Sequence, residues 1–357
     1  MRLLFLNSVR GGGGGLRSAI ELARGLASAG HDVHVACNRA GALRARLGEG
    51  PSARVHPIRI GPDYDPFAAV ALARVLRDVR PAVAIADRRK DVKLLVSARP
   101  LSLPFPIIHR HGAPSTLRDN AAYRFFWTRV QTIVVNSHAM RAALVRAAPW
   151  LTAQRIEVIH NGVDTERFRA RPDARMDVRA ALGIARDAFV VVFHGVLQQR
   201  KRLALLLDAA ARLGAGTHVL LVGAGPDADS LRARADALRI ATTFTGPRDD
   251  VPALLSSADV FAHLSCAEGF SNSVLEALAC GLPVVATNEH SHPEQVTEAC
   301  GMLVAPVVED VASALGAMRD DAALRARMAA AARTRAESVF PLPTMIDRYM
   351  RLMEQLA

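Results

Sequence analysis

Short apolar runs alternate along the chain with longer segments whose apolar residues recur every three to four positions. Leu3 to Asn7 is one such run and is followed by the five glycines Gly11 to Gly15. Leu16 to Ala29 then sets Leu16, Ile20, Ala23 and Leu26-Ala27 at helical spacing, Gly30 ends it, and Val33 to Cys37 begins a second run. Strand, helix and strand in this order predict a βαβ start. The alternation continues through Ala82 to Ala86, Ile107 to His109, Ile133 to Val135 and Val158-Ile159. It resumes at Phe189 to Phe193, helix Leu203 to Leu213, strand Val219 to Val222 and helix Asp229 to Leu238. Thr243-Phe244, Val260 to His263, helix Ser273 to Cys280 and strand Pro283 to Ala286 follow. Residues 311 to 338 predict an alanine- and arginine-rich helix, which Pro341 and Pro343 interrupt before a last helix, Met345 to Leu356. The fold class expected is α/β, two doubly wound parallel-sheet domains facing a cleft. The boundary falls in Asn161 to Asp187, where Gly162, Pro172 and Gly183 sit amid dense charge.

Composition agrees with two ordinary cores: 357 residues, half of them hydrophobic. The four cysteines, Cys37, Cys266, Cys280 and Cys300, have neither metal nor redox spacing, as expected of reduced thiols. The first apolar run is too short for a signal peptide, and no stretch approaches the ~18 to 20 apolar residues of a spanning helix. The expected location is therefore cytoplasmic, with peripheral attachment at the inner face of a membrane as an extension of that reading.

Charge adds a direction. The net charge is +11, but residues 1 to 165 carry 24 Lys and Arg against 11 Asp and Glu, whereas residues 166 to 357 carry 21 against 23. An arginine-rich composition accounts for many arginines and not for their imbalance. A basic half suits an anionic membrane surface or an anionic acceptor. Nucleic acid is the weaker partner and is not expected, because aromatics are only 5% and no basic-aromatic stretch or recognition module is present.

The chemistry concentrates in Ser265-Cys266-Ala267-Glu268-Gly269-Phe270-Ser271-Asn272-Ser273-Val274-Leu275-Glu276. Gly269 to Asn272 form a small, polar loop opening a helix, whose unpaired N–H groups and dipole favour a phosphate. Glu268 and Glu276 bracket that loop as acceptors for ligand hydroxyls. Ser273 and Glu276 also match a capping box, in which Glu276 only reaches back to the backbone. After Phe189 to Phe193, Gly195 closes a strand and Arg200-Lys201-Arg202 cluster where a helix begins. Cations are disfavoured there unless they serve an anion, and Lys201 can neutralise a diphosphate as a point charge.

Other motifs carry less. Gly11 to Gly15 permit close approach of a phosphate, and Arg39 leaves open an NADP-dependent oxidoreductase, although the second strand ends without the acidic residue expected for ribose. His111 falls at a strand's C-terminal edge beside Arg110 and Gly112, a basic group and a tight backbone that suit an anionic or hydroxylated ligand, while His109 points into the sheet. His109 and His111 lack a third partner for a metal. Asp63-Tyr64-Asp65 and Asp227-Ala228-Asp229 match Asp-x-Asp by chance in unrelated loops. No P-loop, nucleophile elbow or zinc-helix motif is present.

On these residues the chain resembles family 4 of the retaining glycosyltransferases, with the GT-B fold of two Rossmann-like domains. Glu268 to Glu276 resembles that family's E-x7-E signature, continued by Ala277-Leu278-Ala279-Cys280-Gly281-Leu282-Pro283-Val284-Val285-Ala286. Gly13-Gly14, Gly30-His31-Asp32-Val33, Asn136-Ser137, Asn161-Gly162-Val163-Asp164, Val222-Gly223-Ala224-Gly225-Pro226 and Phe244-Thr245-Gly246 are similar too. The resemblance implies an acceptor-binding domain over 1–165, a nucleotide-sugar domain over 166–338 and a helix at 339–357 crossing back to the first domain.

It further implies a retaining, metal-independent transfer of a hexose-type sugar from a UDP- or GDP-sugar, without cofactor, to a lipid-linked, saccharide or other anionic acceptor in glycolipid, lipopolysaccharide or polysaccharide synthesis. Glu276 would hold ribose, with Gly195, Glu268, Gly269, Phe270, Ser271 and Asn272 at the sugar and diphosphate and Lys201 at the leaving group. Gly246, with Phe244 and Arg248, would line the base, His111 would lie beside the reacting face, and Gly13, Gly14 and Arg17 would border phosphates or acceptor. Two departures stand out. Val196 replaces a frequent arginine, with Arg200, Arg202 or Arg17 as substitutes or a non-catalytic binding protein as the consequence. Glu289-His290-Ser291-His292-Pro293-Glu294 lacks the usual glycine pair.

Overall fold

A computed structural model describes residues 1–11, 14–47, 53–61, 65–99, 104–112, 117, 119–151 and 155–357. The chain divides into two compact units, Met1–Asn161 with Pro343–Ala357, and Gly162–Leu342. The division falls after Asn161, ahead of the expected boundary at residue 165, because Val163 already pairs with the segment that leaves the second unit. Its N–H donates to the Phe340 carbonyl (2.9 Å), and its carbonyl accepts from Leu342 N–H (3.0 Å).

In the first unit, β1 (Arg2–Asn7), β2 (Asp32–Asn38), β3 (Arg54–Ile58), β4 (Val83–Ala86), β5 (Ile107–His111), β6 (Thr132–Val135) and β7 (Ile156–Val158) form one parallel sheet. Its order is β3-β2-β1-β4-β5-β6-β7. Leu3 to Leu6 and Val83 to Ala86 are all buried, as strands covered on both faces must be. β3 carries no clear apolar run, and Pro57 within it is tolerated because the strand lies at the sheet's edge. The last helix, Leu342–Leu356, packs on this unit through Met345, Tyr349, Leu352 and Met353, a spacing of one helical face. Gly25 in helix Gly14–Ser28 makes that approach possible, since a Cβ there would stand 2.1 Å from Ile346 Cδ1.

The second unit repeats the plan with β8 (Phe189–His194), β9 (Thr217–Val222), β10 (Ala241–Gly246), β11 (Val260–His263), β12 (Val284–Thr287) and β13 (Gly301–Val304). All pairings are parallel, in the order β10-β9-β8-β11-β12-β13. The helix expected over 311 to 338 is two helices, Val308–Asp320 and Ala322–Val339. Asp321 separates them by taking an extended backbone and accepting the Leu324 N–H (2.8 Å), so a capping side chain overrides a helix-favouring composition. In each sheet the strand order reverses beside the first strand, between β1 and β4 and between β8 and β11. Loops diverge at such a switch point and leave room for a ligand.

Candidate functional site

At the switch point of the second sheet, β8 ends at His194, and Gly195 turns the chain at φ +151, where a side chain is strained. Added Cβ atoms at Gly223 and Gly225 would lie 2.0 Å from the carbonyl oxygens of Gly195 and Leu197. Glycine is therefore required for the two loops to meet backbone to backbone, where Leu197 N–H donates to the Ala224 carbonyl (3.0 Å). A short 3-10 turn, Gln199–Lys201, follows and faces the loop after β11, whose Cys266 N–H donates to the Arg200 carbonyl (2.9 Å).

The two cations of that turn and Arg202, which follows it, are paired unequally. Arg202 pairs with Glu289 and holds that carboxyl below its usual range. Lys201 and Arg200 share a single carboxylate, Glu268: Lys201 Nζ contacts Oε1, and Arg200 donates to the same oxygen (2.8 Å) and to the Ala267 carbonyl (2.7 Å). Ser265 Oγ lies 2.9 Å from it as well. The side chains of Lys201 and Glu268 are 8% and 12% exposed, that of Arg200 42%. Burial pulls the Lys201 ammonium below its ordinary value, against the opposing pull of Glu268. Burial alone would raise Glu268, but Lys201 and Arg200 keep it below the usual carboxylate range. Two cations on one anion leave a positive excess beside a helix N-terminus.

The helix is Asn272–Ala279, and its cap is Ser271, whose Oγ accepts the Val274 N–H (3.4 Å). This corrects the capping-box alternative. Ser273 already lies inside the helix, and Glu276 falls beyond the first turn, where it cannot serve the cap. Glu276 is instead buried, with Oε2 3.2 Å from Nδ1 of His194 at the end of β8. Gln295 clamps Ser271 from the other side, accepting from its N–H (3.1 Å) and donating to its carbonyl (2.8 Å). Gly269 is buried and Asn272 half-buried. Phe270 turns its ring into the core against Phe340, so only its backbone faces the loop. Gly246, at φ +68, accepts from Gly223 N–H (2.9 Å). Phe244 lies under Arg232, while Arg248 is occupied by Asp250 (2.8 and 2.6 Å).

The remaining candidates belong to the first unit. Gly13 lies outside the described residues; Gly14 opens helix Gly14–Ser28, and Arg17 is half-buried in its first turn. His111 ends β5 and is buried against the His109 ring. His109 does point inward: it accepts from Trp127 Nε1 (3.3 Å), and burial holds it well below its usual pKa. Arg110, read from the sequence as favouring an anionic ligand, is committed internally. Nη1 donates to Asp87 (2.7 Å), Nη2 to Ser18 Oγ (2.9 Å) and Nε to the Tyr349 hydroxyl (3.1 Å). Beside it Asp91 is fully buried and accepts from Ser8 N–H (3.2 Å), and burial with the nearby Asp87 charge pushes it up to about 7.

Of the Asp-x-Asp matches, Asp63 lies outside the described residues, and Asp65 caps helix Pro66–Val79 through the Ala68 N–H (3.0 Å). Asp229 pairs with Arg232 (2.8 Å). Sequence reasoning missed His194, His263 and His292; the available signal was a histidine at the end of two otherwise apolar strands.

Comparison with known proteins covers nearly the whole chain. The family described as Glycosyltransferase Family 4 matches residues 12–167, and the family described as Glycosyl transferases group 1 matches 175–335. The lipopolysaccharide core biosynthesis glycosyltransferase LpsD of Rhizobium meliloti is 31% identical over 286 residues, 79% of this chain and 78% of its own length. A GDP-mannose-dependent phosphatidylinositol monomannoside mannosyltransferase of Mycolicibacterium smegmatis is 30% identical over 312 residues, 76% of this chain and 81% of its own. Among solved structures, Anabaena HepE in complex with UDP and glucose superposes with a TM-score of 0.87 at 23% identity, covering all of both chains. Nothing in these matches supports the oxidoreductase alternative.

Proposed function

The chain belongs to the glycosyltransferases of the GT-B fold, and from that premise we propose that it moves a hexose-type sugar from a nucleotide diphosphate to an acceptor hydroxyl, with the nucleotide on the second unit. The observation that carries this reading is the pair Lys201 and Arg200 on the single carboxylate of Glu268, beside the cap of helix Asn272–Ala279. A diphosphate supplies the missing negative charge and takes the backbone N–H groups of the loop. Glu276, one turn inside, accepts from ribose hydroxyls, and Glu268 faces the sugar.

Val196 is 43% exposed and apolar. Arg200 therefore stands in for the arginine that position lacks, since Arg202 is balanced by Glu289. In the transfer, the bond from the anomeric carbon to the phosphate oxygen breaks as the acceptor oxygen bonds to the same face, with retention. The hydroxyl proton passes to the leaving phosphate. The cations and the helix dipole offset the charge that develops there, and a carboxylate already facing two cations has little to offer a divalent metal, so no metal or cofactor is assigned.

The basic first unit, with His111, Gly13, Gly14 and Arg17, receives the acceptor. The lipopolysaccharide and glycolipid relatives favour a saccharide or lipid-linked one, and its charge favours an anionic membrane surface. Among the described residues no helix is long and apolar enough to cross a membrane.

Thermal unfolding with UDP, GDP and ADP in parallel tests the donor site: one base is expected to raise the midpoint in proportion to the logarithm of concentration. Lys201→Ala and Glu276→Gln are each expected to lower transfer by roughly two orders of magnitude or more with the fold intact. Near-normal rates in both would sink the assignment.

A further inference from the structure

Behind Lys201 lies a line of buried rings. His263 ends β11, is fully buried, and stacks between Phe193 and Phe261 at 6.1 Å from each. Its Nε2 stands 3.2 Å from Lys201 Nζ and 3.1 Å from Ser271 Oγ, and its Nδ1 2.9 Å from His292 Nε2. His292, also buried, places Nδ1 2.9 Å from the Thr287 carbonyl.

Only one proton arrangement satisfies the line that runs from Lys201 through His263 and His292 to the Thr287 carbonyl. An ammonium can only donate, so His263 Nε2 must accept. A neutral His263 then carries its proton on Nδ1 and donates to His292 Nε2, and His292 donates from Nδ1 to the carbonyl. Burial, with Lys201 and His292 alongside, holds His263 well below its usual value, and burial lowers His292 too.

We propose that His263 and His292 are positioning residues for Lys201: their neutral rings form an acceptor line that takes one ammonium hydrogen while Glu268 takes a second, fixing the direction of the third. Without that line the ammonium pivots about Glu268 on a flexible four-carbon stem. Ser271, which caps the helix, touches the same ring nitrogen, so the aim of Lys201 is tied to the helix end where the phosphate is expected. This inference rests on Lys201 being the diphosphate ligand.

The charged and titratable groups facing the line are Lys201, Arg200, Glu268 and His290. An acceptor stabilises the charged lysine, so its loss lowers the Lys201 pKa further and weakens nucleotide binding more as pH rises. The test is calorimetric affinity for UDP and GDP from about pH 6.5 to about 9.5, with thermal melts to confirm folding. His263→Phe keeps a ring between Phe193 and Phe261 and removes both nitrogens. It is expected to weaken binding roughly tenfold near neutrality and more above pH 8, whereas His263→Gln, which retains an acceptor, stays within about threefold of the parent. His292→Phe is expected to lose about threefold with the same pH trend, and it decides the matter if His263→Phe does not fold.

Unchanged affinity in either Phe variant, while Lys201→Ala loses affinity, overturns the proposal. Equal, pH-independent losses in His263→Phe and His263→Gln also overturn it, because they report packing. Unchanged affinity in Lys201→Ala overturns instead the reading beneath it.

Discussion

Both units place a buried cation and a carboxylate near the switch point of a parallel sheet, and the two arrangements are balanced differently. In the first, Arg110 spends its donors on Asp87, Ser18 and Tyr349, and Asp87 takes a further hydrogen bond from Asn7 (2.8 Å). One cation meets one anion, and the rest of the fork meets neutral oxygens. Although burial alone would lower Arg110, Asp87 and Tyr349 push it upward and keep it charged. In the second, Lys201 and Arg200 share Glu268. The closed network ties β4, β5 and the last helix together; the open one sets two cations on one carboxylate, and beyond it Arg200 meets the neutral Ala267 carbonyl. The same kind of location in two similar sheets is therefore balanced within the protein in one and left with a surplus of positive charge in the other, and it is this surplus that the proposed function uses.

The largest expected effect breaks the closed network. Arg110→Met leaves Asp87 facing a low-dielectric interior and is expected to cost about 3–5 kcal/mol. That corresponds to a melting transition lowered by about 10 °C. Lys201→Met removes only the surplus, because Arg200 and Ser265 still serve Glu268, and its midpoint without nucleotide is expected to stay within about 3 °C of the parent. Equal destabilisation by the two would abolish the contrast.

This contrast was only half legible in the sequence. Lys201, Glu268 and Glu276 could be singled out because strand ends, small residues and helix starts are local patterns. Arg110 could not be read correctly, since Asp87, Ser18 and Tyr349 lie 23, 92 and 239 residues away. Once they converge, a residue that looks like an anion ligand becomes a tie. The choice between Ser271 and Ser273 as cap hinged on where the backbone leaves helical dihedrals, which composition does not encode. The two-sheet plan was readable from buried strands such as β1 and β4, whereas the edge strand β3, with Arg54 and Pro57, lacks the apolar run that marks a covered strand.

A second test sharpens the closed side. Asp91 is a further carboxyl next to that balanced pair, and its folded pKa of about 7 lies above its ordinary 3.8. The folded state thus holds this proton more tightly than the unfolded chain. Stability from this group is unaffected below about pH 4, falls as pH rises toward 7, and levels off above it. Asp91→Asn keeps an acceptor for the Ser8 N–H and removes the titration. Melts at low and high pH are expected to show no gain near pH 4 and a gain of about 4 kcal/mol by pH 8.5. A gain that shrank with rising pH would place the sign the wrong way and reopen the network.

The smallest effect probes the open side. If Arg200 contributes the second positive charge in place of a cation at 196, Arg200→Gln should leave Glu268 paired with Lys201 and cancel the surplus. Because Arg200 is 42% exposed, solvent and salt screen its contribution. Nucleotide diphosphate affinity is therefore expected to fall only about tenfold, or about 1.4 kcal/mol. The dependence of affinity on ionic strength should fall with it, as measured by calorimetry in low and high salt. Val196→Arg on that background is expected to recover most of the loss, since the position faces solvent and has room for a guanidinium. Full affinity in Arg200→Gln would mean that Lys201 alone balances the diphosphate, and the open network would carry one working cation instead of two.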